Sequence, residues 1–302
     1  MLLRDIAQAS AGTLSAAVFF GSRSSGVATN ASSAYDLMLA CDRPAAFYRA
    51  MHRAGFLQRS PRLLGIIGRP LTPTQIRLAT AEWLVKASVV ATADLVRATS
   101  ERRPDQFLAG RLFQDVHIVW TRDDAALATL EGVVASARRI TLLWSAPDLP
   151  PTFDVATYVR QLFRTSFRFE IRPETRGRAD ALFNAQAARL LPLFEPVLKE
   201  AAGRGALIEC AEGVWKLPAR PRVSRRIRRR AFMEWSRVRA VGRWPKHALT
   251  FDGWLDYIVK KAERHSGETI TLTPLERRAP FLFLWPKTFK FLARQRRKGR
   301  GV

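Results

Sequence analysis

The chain begins with two apolar runs that are separated by a polar segment rich in glycine and serine. Residues 13–20 and 35–41 carry mostly aliphatic and aromatic side chains, and Gly, Ser or Asp residues border both runs. Apolar runs of this length between turn-forming residues are typical of β-strands. Two further strands are predicted at 63–67 and at 116–120, where apolar and β-branched side chains predominate.

Apolar residues at intervals of three and four predict helices along most of the remaining chain. Pro44 favours the start of the first helix, because proline is preferred in the first helical turn. An acidic start marks the helix near Asp123. The apolar run 206–217, interrupted by a Glu-Gly turn, predicts a hairpin. The predicted helices span 44–54, 89–103, 123–140, 153–167, 180–201 and 250–265, and another opens at Arg225.

Positive charge is concentrated towards the C-terminal end. The net charge is +24, and residues 221–302 hold 22 Lys and Arg against 6 Asp and Glu. Such a field attracts polyanions, either nucleic acid or an anionic membrane surface. Trp235, Trp244, Trp254 and the apolar block 281–285 stand among these cations, as interfacial membrane binding requires. Nucleic acid would instead favour aromatic side chains that are exposed singly for stacking.

An anionic membrane is therefore the predicted partner of residues 281–298, and nucleic acid is disfavoured. For residues 225–260, membrane contact and packing against the protein are equal alternatives. No stretch of the sequence approaches the roughly 20 apolar residues that cross a bilayer. We therefore expect a protein that is soluble or that binds a membrane peripherally.

The polar segment between the first two predicted strands carries the candidate chemistry. Gly21-Ser22 predicts a tight turn, where backbone N–H groups and a hydroxyl approach phosphate oxygens. Asp36 follows Ser22 by 14 residues and lies on the second strand, where it could hold a divalent metal against the same phosphates. Nucleotidyl transfer requires this order of residues, and an ordinary hairpin is the structural alternative.

Further short motifs follow in order: Lys86 ahead of an apolar pair, Ala-Gly-Arg-Leu at 109–112, Arg168, and Glu174. Together with Gly21-Ser22 and the lone Asp36, this succession resembles the mitochondrial-type phosphatidate cytidylyltransferases, the translocator assembly and maintenance family. The similarity extends, with gaps, over residues 15–200. The order of the motifs carries more weight than any one of them.

The resemblance implies a Mg²⁺-dependent enzyme that transfers CMP from CTP to phosphatidic acid and so makes CDP-diacylglycerol and pyrophosphate. It implies an α+β fold with a nucleotidyltransferase domain over 1–120, a winged-helix-like domain over 121–220 and a basic membrane-binding region over 221–302. Helices followed by a hairpin suit a winged-helix-like module by themselves, although such a module also occurs in nucleic-acid binders.

The resemblance also implies roles for individual residues. Ser22 and the Gly21 backbone would hold the triphosphate, and Asp36 would bind Mg²⁺. Asp94 and Asp115 are candidates for a second metal ligand, with a helix-surface or loop charge as the alternative. Ser22, Asp36 and Lys86 are the candidate catalytic residues. The candidates for phosphate binding are Lys86, Arg23, Arg111 and Arg168.

The chain departs from the family where the base and the acceptor would be recognised. Phe47-Tyr48 stands in place of the family's Trp-His. Ala34, at the first position of the superfamily's usual Asp-x-Asp, agrees instead with the lone Asp of this family. Two alternatives stay open. One is a nucleotidyltransferase that acts on RNA or protein, and the other is a non-catalytic relative that binds membrane or nucleic acid.

Overall fold

The computed structural model describes residues 2–21, 23–24, 34–80, 84–169, 177–219, 222–266, 269–278 and 280–283. They form a mixed α+β structure with two β-sheets, as the sequence predicts. The strands are β1 (Leu14–Phe20), β2 (Tyr35–Cys41), β3 (Thr74–Leu78), β4 (Val85–Ala91), β5 (His117–Thr121), β6 (Thr152–Asp154), β7 (Ile208–Ala211) and β8 (Val214–Lys216). The helices are α1 (Leu2–Ala9), α2 (Pro44–Arg53), α3 (Pro61–Ile67), α4 (Thr92–Ala98), α5 (Ala109–Leu112), α6 (Asp124–Arg139), α7 (Thr141–Ser145), α8 (Val155–Phe169), α9 (Arg178–Gly203), α10 (Val223–Thr250), α11 (Trp254–Ser266), α12 (Pro274–Arg278) and α13 (Pro280–Phe283).

The larger sheet has five strands in the order β3-β4-β2-β1-β5. Strands β2 and β4 run parallel, whereas the other neighbouring pairs are antiparallel. A parallel pair requires a crossover connection, which α2, α3 and β3 provide between β2 and β4. The strands predicted at 13–20, 35–41 and 116–120 are confirmed as β1, β2 and β5.

Side chains of this sheet alternate between two apolar cores, because successive strand residues point to opposite faces. Leu37 and Leu39 pack with side chains of α1, α2 and α3. Met38 and Ala40 pack on the other face with side chains of α4, α5 and α6. Asp36 shares the second face, since it alternates with Leu37 along β2.

The smaller sheet has the antiparallel order β6-β8-β7 and lies beside α8 and α9. Its core is rich in aromatic side chains, and Phe113 contacts Phe163 with 5.3 Å between the ring centroids. Large rings bury much apolar area, so they stabilise this part strongly. The predicted helices 123–140, 153–167 and 180–201 and the predicted hairpin 206–217 are confirmed, although β6 precedes the second of these helices.

Helix α10 contacts both parts of the protein. Met233 belongs to the aromatic core, whereas residues further along the helix reach the larger sheet. The Arg243 guanidinium donates to the carbonyl of Thr72 (Nη2–O 2.8 Å) and pairs with Asp105 (2.6 Å).

Burial lowers the pKa of Lys246 to about 7. Its Nζ donates to the carbonyl oxygens of Gly68 (3.1 Å), Pro70 (2.9 Å), Leu71 (3.0 Å) and Pro73 (3.3 Å).

The distribution of charged and apolar side chains on α10 is unusual. Arg243 and Lys246 are buried against the protein, whereas Trp235, Val238 and Val241 are exposed. The expected alternative of apolar packing with solvated cations is wrong for this part of the helix, because backbone carbonyls and Asp105 supply partners for the buried charges. Among the described helices, none is long and apolar enough to cross a membrane.

Two sequence predictions of secondary structure are wrong. Residues 63–67 belong to α3 and not to a strand, because Pro61 occupies the first turn, where proline is favoured. The predicted helix 89–103 includes the end of β4, and α4 begins only at Thr92. Strand β3 was not predicted. Pairing with β2 and β3 decides the structure of β4, and such pairing is not visible in a local pattern.

The proposed division of the chain at residues 120 and 220 stays a prediction. Of the segment 281–298 that is predicted to bind a membrane, residues 284–298 lie outside the described residues.

Candidate active site

Four residues lie in one row across the larger sheet. Phe20 on β1 is opposite Asp36 on β2, Asp36 is opposite Lys86 on β4, and Lys86 is opposite Arg77 on β3. Paired residues of neighbouring strands point to the same face. The row therefore places one carboxylate between an aromatic side chain and two cations, where β1 ends and β2 and β4 begin.

Asp36 and Lys86 form an ion pair within this row. The Lys86 Nζ lies 3.6 Å from Asp36 Oδ1, and about a quarter of each side chain is exposed (24% for both). Pairs with this degree of exposure contribute little to stability, typically about 0–1 kcal/mol. Both groups can therefore exchange their mutual contact for a ligand at small cost.

Gly21 brings the backbone next to the carboxylate of Asp36. Its φ of +91° lies in the left-handed region that favours glycine. A β-carbon at this position would lie 2.6 Å from Asp36 Oδ2, closer than atoms can approach. The turn after β1 therefore contacts the candidate metal ligand directly, as the Gly-Ser motif predicts. Ser22, the second residue of that motif, lies outside the described residues.

Arg23 lies at the same end of the sheet. Its guanidinium carbon is 4.3 Å from the centroid of the Tyr35 ring, in a cation–π contact. Tyr35 directly precedes Asp36 on β2 and packs with the core on the other face of the sheet, so this contact keeps Arg23 at the end of the sheet but outside the row.

Arg111 extends from α5, which packs on the face of the sheet that carries Asp36. Its guanidinium lies 3.7 Å from the centroid of the Phe107 ring and donates to the Phe107 carbonyl (3.0 Å). The buried Arg243 of α10 contacts the same ring at 4.4 Å. Phe107 therefore links two cations that come from distant parts of the sequence.

His247 of α10 adds an imidazole to this group of cations. Burial, followed in order by the charges of Lys86, Lys246, Arg243 and Arg111, lowers its pKa to about 3. The ring is therefore neutral at physiological pH. Its Nε2 is buried and has no hydrogen-bond partner among the described residues.

Several predicted site residues are engaged in other contacts. Asp94 pairs with Arg97 on α4 (2.8 Å), and Asp115 pairs with Arg189 of α9. Each acid therefore pairs with an arginine, Asp94 on a helix and Asp115 in a loop. Within the described ranges, no three His, Cys, Asp or Glu side chains cluster as a metal site.

The remaining predicted residues come from the smaller part of the protein. Arg168 is exposed near the end of α8, a helix that packs against α9 and the smaller sheet. It is not part of the row that holds Asp36. Glu174 lies outside the described residues.

The sequence predictions missed Arg77 and His247. Arg77 lies on β3, a strand that the sequence does not predict. Its position opposite Lys86 could therefore not be inferred. His247 follows Lys86 by 161 residues, and only the packing of α10 against β3 brings it near. No local motif marks either residue.

A cavity of about 170 Å³ lies at the opposite end of the same sheet face. Apolar side chains form much of its wall, and Asp42 near its mouth pairs with Arg122 (2.5 Å) and accepts a hydrogen bond from Ser15 (2.5 Å). Its polar groups already satisfy one another. We therefore place the candidate chemistry at the Asp36 end, where cations outnumber acids.

The charges define what the Asp36 end of the sheet can bind. Asp36 pairs with Lys86, and Arg77 shares their row. Arg23 lies at the same end of the sheet, and Arg111 extends from the helix that packs on the face of Asp36. A group of cations of this kind favours a ligand with several negative charges, such as a polyphosphate. Comparison of the chain with protein-family models and with curated proteins gives no match.

Proposed function

We propose that the protein is a CTP:phosphatidate cytidylyltransferase, which makes CDP-diacylglycerol and pyrophosphate. The observation that carries this proposal is the contact of Gly21 with Asp36 beside Lys86. A glycine turn, a carboxylate and a lysine at one end of a mixed sheet are the parts that nucleotidyl transfer to an anionic acceptor needs. The resemblance in motif order supports the choice of CTP and phosphatidic acid.

The reaction is a displacement at phosphorus. A phosphate oxygen of phosphatidic acid forms a bond to the α-phosphorus of CTP, and the bond from that phosphorus to the bridging oxygen of pyrophosphate breaks. The acceptor is already anionic at neutral pH, so a strong general base is not needed. Catalysis then consists chiefly of positioning the two anions and neutralising their charge.

In this proposal, cationic side chains hold the phosphates. Lys86 exchanges its contact with Asp36 for a phosphate oxygen of CTP, and Arg111 binds the same triphosphate. Arg23 lies at the same end of the sheet, over the Tyr35 ring, and would reach either the triphosphate or the lipid phosphate from there. Gly21 offers its backbone at close range, since it has no side chain to keep the phosphates away.

The residues present fit a Mg²⁺ ion of the kind that phosphates share. Asp36 is partly exposed, and its Oδ2 lies beside the Gly21 backbone where a β-carbon would otherwise block access. Protein sites for Mg²⁺ commonly use one or two carboxylates and leave the other positions to phosphate oxygens and water. When bound, Mg²⁺ neutralises charge on the reacting phosphates. Asp36 is the residue that would hold it.

The architecture is compatible with the proposed family. A mixed five-stranded sheet suits a nucleotidyltransferase domain. The strand order β6-β8-β7, with two helices between the first strand and the hairpin, suits a winged-helix-like module. Because a fold by itself does not define a function, this agreement is secondary to the site.

An anionic membrane is the proposed partner, since the second substrate is a lipid. The solvent-facing side of α10 carries both apolar side chains and arginines. Interfacial helices combine these two features, and each cation near an anionic leaflet contributes about 1 kcal/mol. The exposed apolar residues are Ile227, Trp235, Val238, Val241, Trp244 and Leu249, and the exposed arginines include Arg225, Arg226, Arg228, Arg230 and Arg237. The proposed location is the cytoplasmic face of the inner membrane.

The test is an activity assay with phosphatidic acid in anionic liposomes, Mg²⁺ and each of the four nucleoside triphosphates in turn. We expect CDP-diacylglycerol and pyrophosphate with CTP alone. Asp36→Ala should abolish both products and retain liposome binding. Asp94→Ala removes a carboxylate that pairs with Arg97 outside the row, so it should leave the activity unchanged.

Failure of this assay would also be informative. No product with any nucleotide, from protein that still binds the liposomes, would contradict the proposal. RNA binding that is tighter than liposome binding and sensitive to salt would then favour an RNA acceptor. If cells that carry Asp36→Ala keep the biological function of the protein, a non-catalytic relative would be favoured.

A further inference from the structure

Arg77 is an exposed member of the row to which the proposed reaction assigns no role. It lies on β3, at the end of the row that is opposite to Phe20. Among the described residues, its guanidinium has no ion-pair or hydrogen-bond partner. A guanidinium carries five N–H donors in a fixed planar arrangement that matches the oxygens of a phosphate. Single exposed arginines are usually only solvated, so the position of Arg77 in the row decides its interpretation.

Arg77 stands directly opposite a second cation. It pairs in register with Lys86 on the antiparallel strand β4. The β-carbons of such opposite residues lie about 4.5–5.5 Å apart, and like charges at this spacing destabilise a sheet. Asp36 balances only one of the two charges, because it lies one strand further along the row. An anion bound between Arg77 and Lys86 would remove the repulsion and gain from both cations.

The order of the row matches the direction of the proposed reaction. The Gly21 turn and Asp36 lie on β1 and β2, Lys86 follows on β4, and Arg77 is outermost on β3. An in-line displacement places the attacking oxygen and the leaving group on opposite sides of the reacting phosphorus. A pyrophosphate held at the Gly21 turn therefore leaves the β3 side, where Arg77 lies, for the acceptor.

The turn 251–253 between α10 and α11 lies beside the Arg77 guanidinium. A β-carbon on Gly253 would lie 3.0 Å from Arg77 Nη1, and Gly253 has a φ of +65°, which favours glycine. The turn thus approaches the cation closely without a side chain on it. Leu249 and Ile258, on the two helices that the turn joins, are exposed apolar residues. Apolar surface next to a free cation suits a lipid that carries a phosphate.

We propose that Arg77 binds the phosphate monoester of the acceptor lipid, with two of its N–H groups donating to two phosphate oxygens. This inference rests on the proposed function for the identity of the acceptor. A monoester has three terminal oxygens, whereas the diester of other anionic phospholipids has two non-bridging ones. Arg77 therefore selects phosphatidic acid among the anionic lipids of the membrane, because bidentate contacts of this kind are strong and directional.

The first test measures which anionic lipid the protein prefers. Phosphatidylcholine liposomes carry either phosphatidic acid or phosphatidylglycerol at equal surface charge, and sedimentation gives the affinity of the full chain for each. The variants are Arg77→Gln, which removes the charge, and Arg77→Lys, which keeps the charge without the planar donor arrangement. Arg62→Gln, an exposed arginine of α3 on the other side of the sheet, is the matched control. Thermal unfolding confirms that each variant folds.

We expect the original protein and the control to bind the phosphatidic acid liposomes about tenfold more tightly than the others, as a hydrogen-bonded charge pair implies. Both Arg77 variants should bind the two kinds of liposome within about threefold of each other. A preference that persists in Arg77→Gln, or that the original protein lacks, would overturn the proposal. Weakening of both affinities by the same factor would also overturn it, because Arg77 would then act only through its charge.

A second measurement distinguishes the lipid phosphate from a free polyphosphate. Isothermal titration calorimetry with inorganic tripolyphosphate and Mg²⁺ should give the same affinity for Arg77→Gln and the original protein, whereas Lys86→Met should bind more weakly. In the activity assay, Arg77→Gln should raise the KM for phosphatidic acid about tenfold and change the KM for CTP by less than about twofold. A tripolyphosphate affinity that falls as far as in Lys86→Met would assign Arg77 to the triphosphate and contradict the proposal.

The outcomes separate this inference from the proposed function. If the protein makes CDP-diacylglycerol and Arg77→Gln keeps the preference for phosphatidic acid, the inference is wrong and the function stands. If no nucleotide gives product and Arg77→Gln still loses that preference, the function is wrong and the lipid-phosphate site stands.

Discussion

The α-carbon of Gly21 faces the carboxylate of Asp36. A β-carbon at position 21 would lie 2.6 Å from Asp36 Oδ2 and 3.1 Å from its Cβ. The backbone of Gly21 also has a φ of +91°, which other residues adopt only with strain. Crowding and backbone conformation thus both require glycine at position 21, where the turn touches the candidate metal ligand.

Gly21→Ala should therefore damage both stability and activity. The strained backbone and the displaced carboxylate predict a loss of about 1–3 kcal/mol in the free energy of unfolding, measured by urea titration. Turnover should fall further than this loss explains, because Asp36 must move. Gly132→Ala is the control, since its helical position on α6 has open space and should gain up to about 1 kcal/mol. A folded Gly21→Ala variant with normal turnover would contradict the contact.

Lys86→Met should separate function from stability. The pair with Asp36 is partly exposed, so its loss should change the free energy of unfolding by less than about 1 kcal/mol. Loss of a phosphate-binding cation should lower turnover by about 10²–10³-fold. Lys199→Met removes another paired lysine, on the exposed side of α9, and should leave turnover unchanged. Equal turnover of the two variants would exclude Lys86 from phosphate binding.

Asp105→Asn should destabilise the packing of α10 against the rest of the protein. Asp105 is buried and pairs with Arg239 (2.7 Å) and Arg243 (2.6 Å). Removing its charge leaves a buried arginine without compensation, so we expect a loss of about 3–5 kcal/mol in urea unfolding. An exposed pair such as that of Arg277 with Asp256 offers the control, since Asp256→Asn should have little effect.

Asp105 also predicts a pH dependence. Burial alone would raise the pKa of this carboxyl, but the Arg243 charge and hydrogen bonds from Arg239 and Arg243 together lower it below the ordinary value of 3.8. Below pH 3.8 the unfolded chain therefore binds a proton before the folded chain does, and the stability falls as the pH decreases further. The free energy of unfolding of Asp105→Asn, measured over the same pH range, should lack this decrease. If the free energies of unfolding of both proteins depended on pH identically, the prediction would be wrong.

Paired substitution of Trp235 and Trp244 by alanine should weaken liposome binding. Both side chains are exposed on α10, and tryptophan favours the headgroup region of a membrane. Sedimentation with anionic liposomes should show the loss, and turnover on phosphatidic acid in liposomes should fall more than turnover on a soluble short-chain analogue. Ile66→Ala, an exposed apolar residue of α3, is the control. Retained liposome binding by the double variant would assign the membrane contact elsewhere.

The sequence predicted those elements whose pattern is complete within a short window. Strands β1 and β2 have clear turn residues at their ends, and Asp123 caps α6 by accepting a hydrogen bond from the Ala126 amide (2.7 Å). Val89 and Val90 were assigned to a helix because the apolar run continues into α4 without a turn residue between them. Only pairing with β2 and β3 shows that they belong to a strand.

The candidate site likewise contains residues that short motifs predict and residues that only long-range packing brings to it. Gly21, Asp36 and Lys86 belong to short motifs, so their type and order pointed to phosphate chemistry. His247 and Arg243 reach the site through long-range packing, and a basic helix of this composition equally suits a surface location. Burial of their charges depends on partners such as the Thr72 carbonyl, which no local pattern identifies.

Strand β3 lies at an edge of its sheet, and the helix that packs on it comes late in the chain. The contact between Gln75 and Thr250 joins residues that are 175 positions apart. While the chain is being synthesised, the five strands are complete long before α10 emerges, and β3 presents an open edge that another copy can pair with. A chain truncated ahead of α10 should therefore aggregate more readily than the full chain.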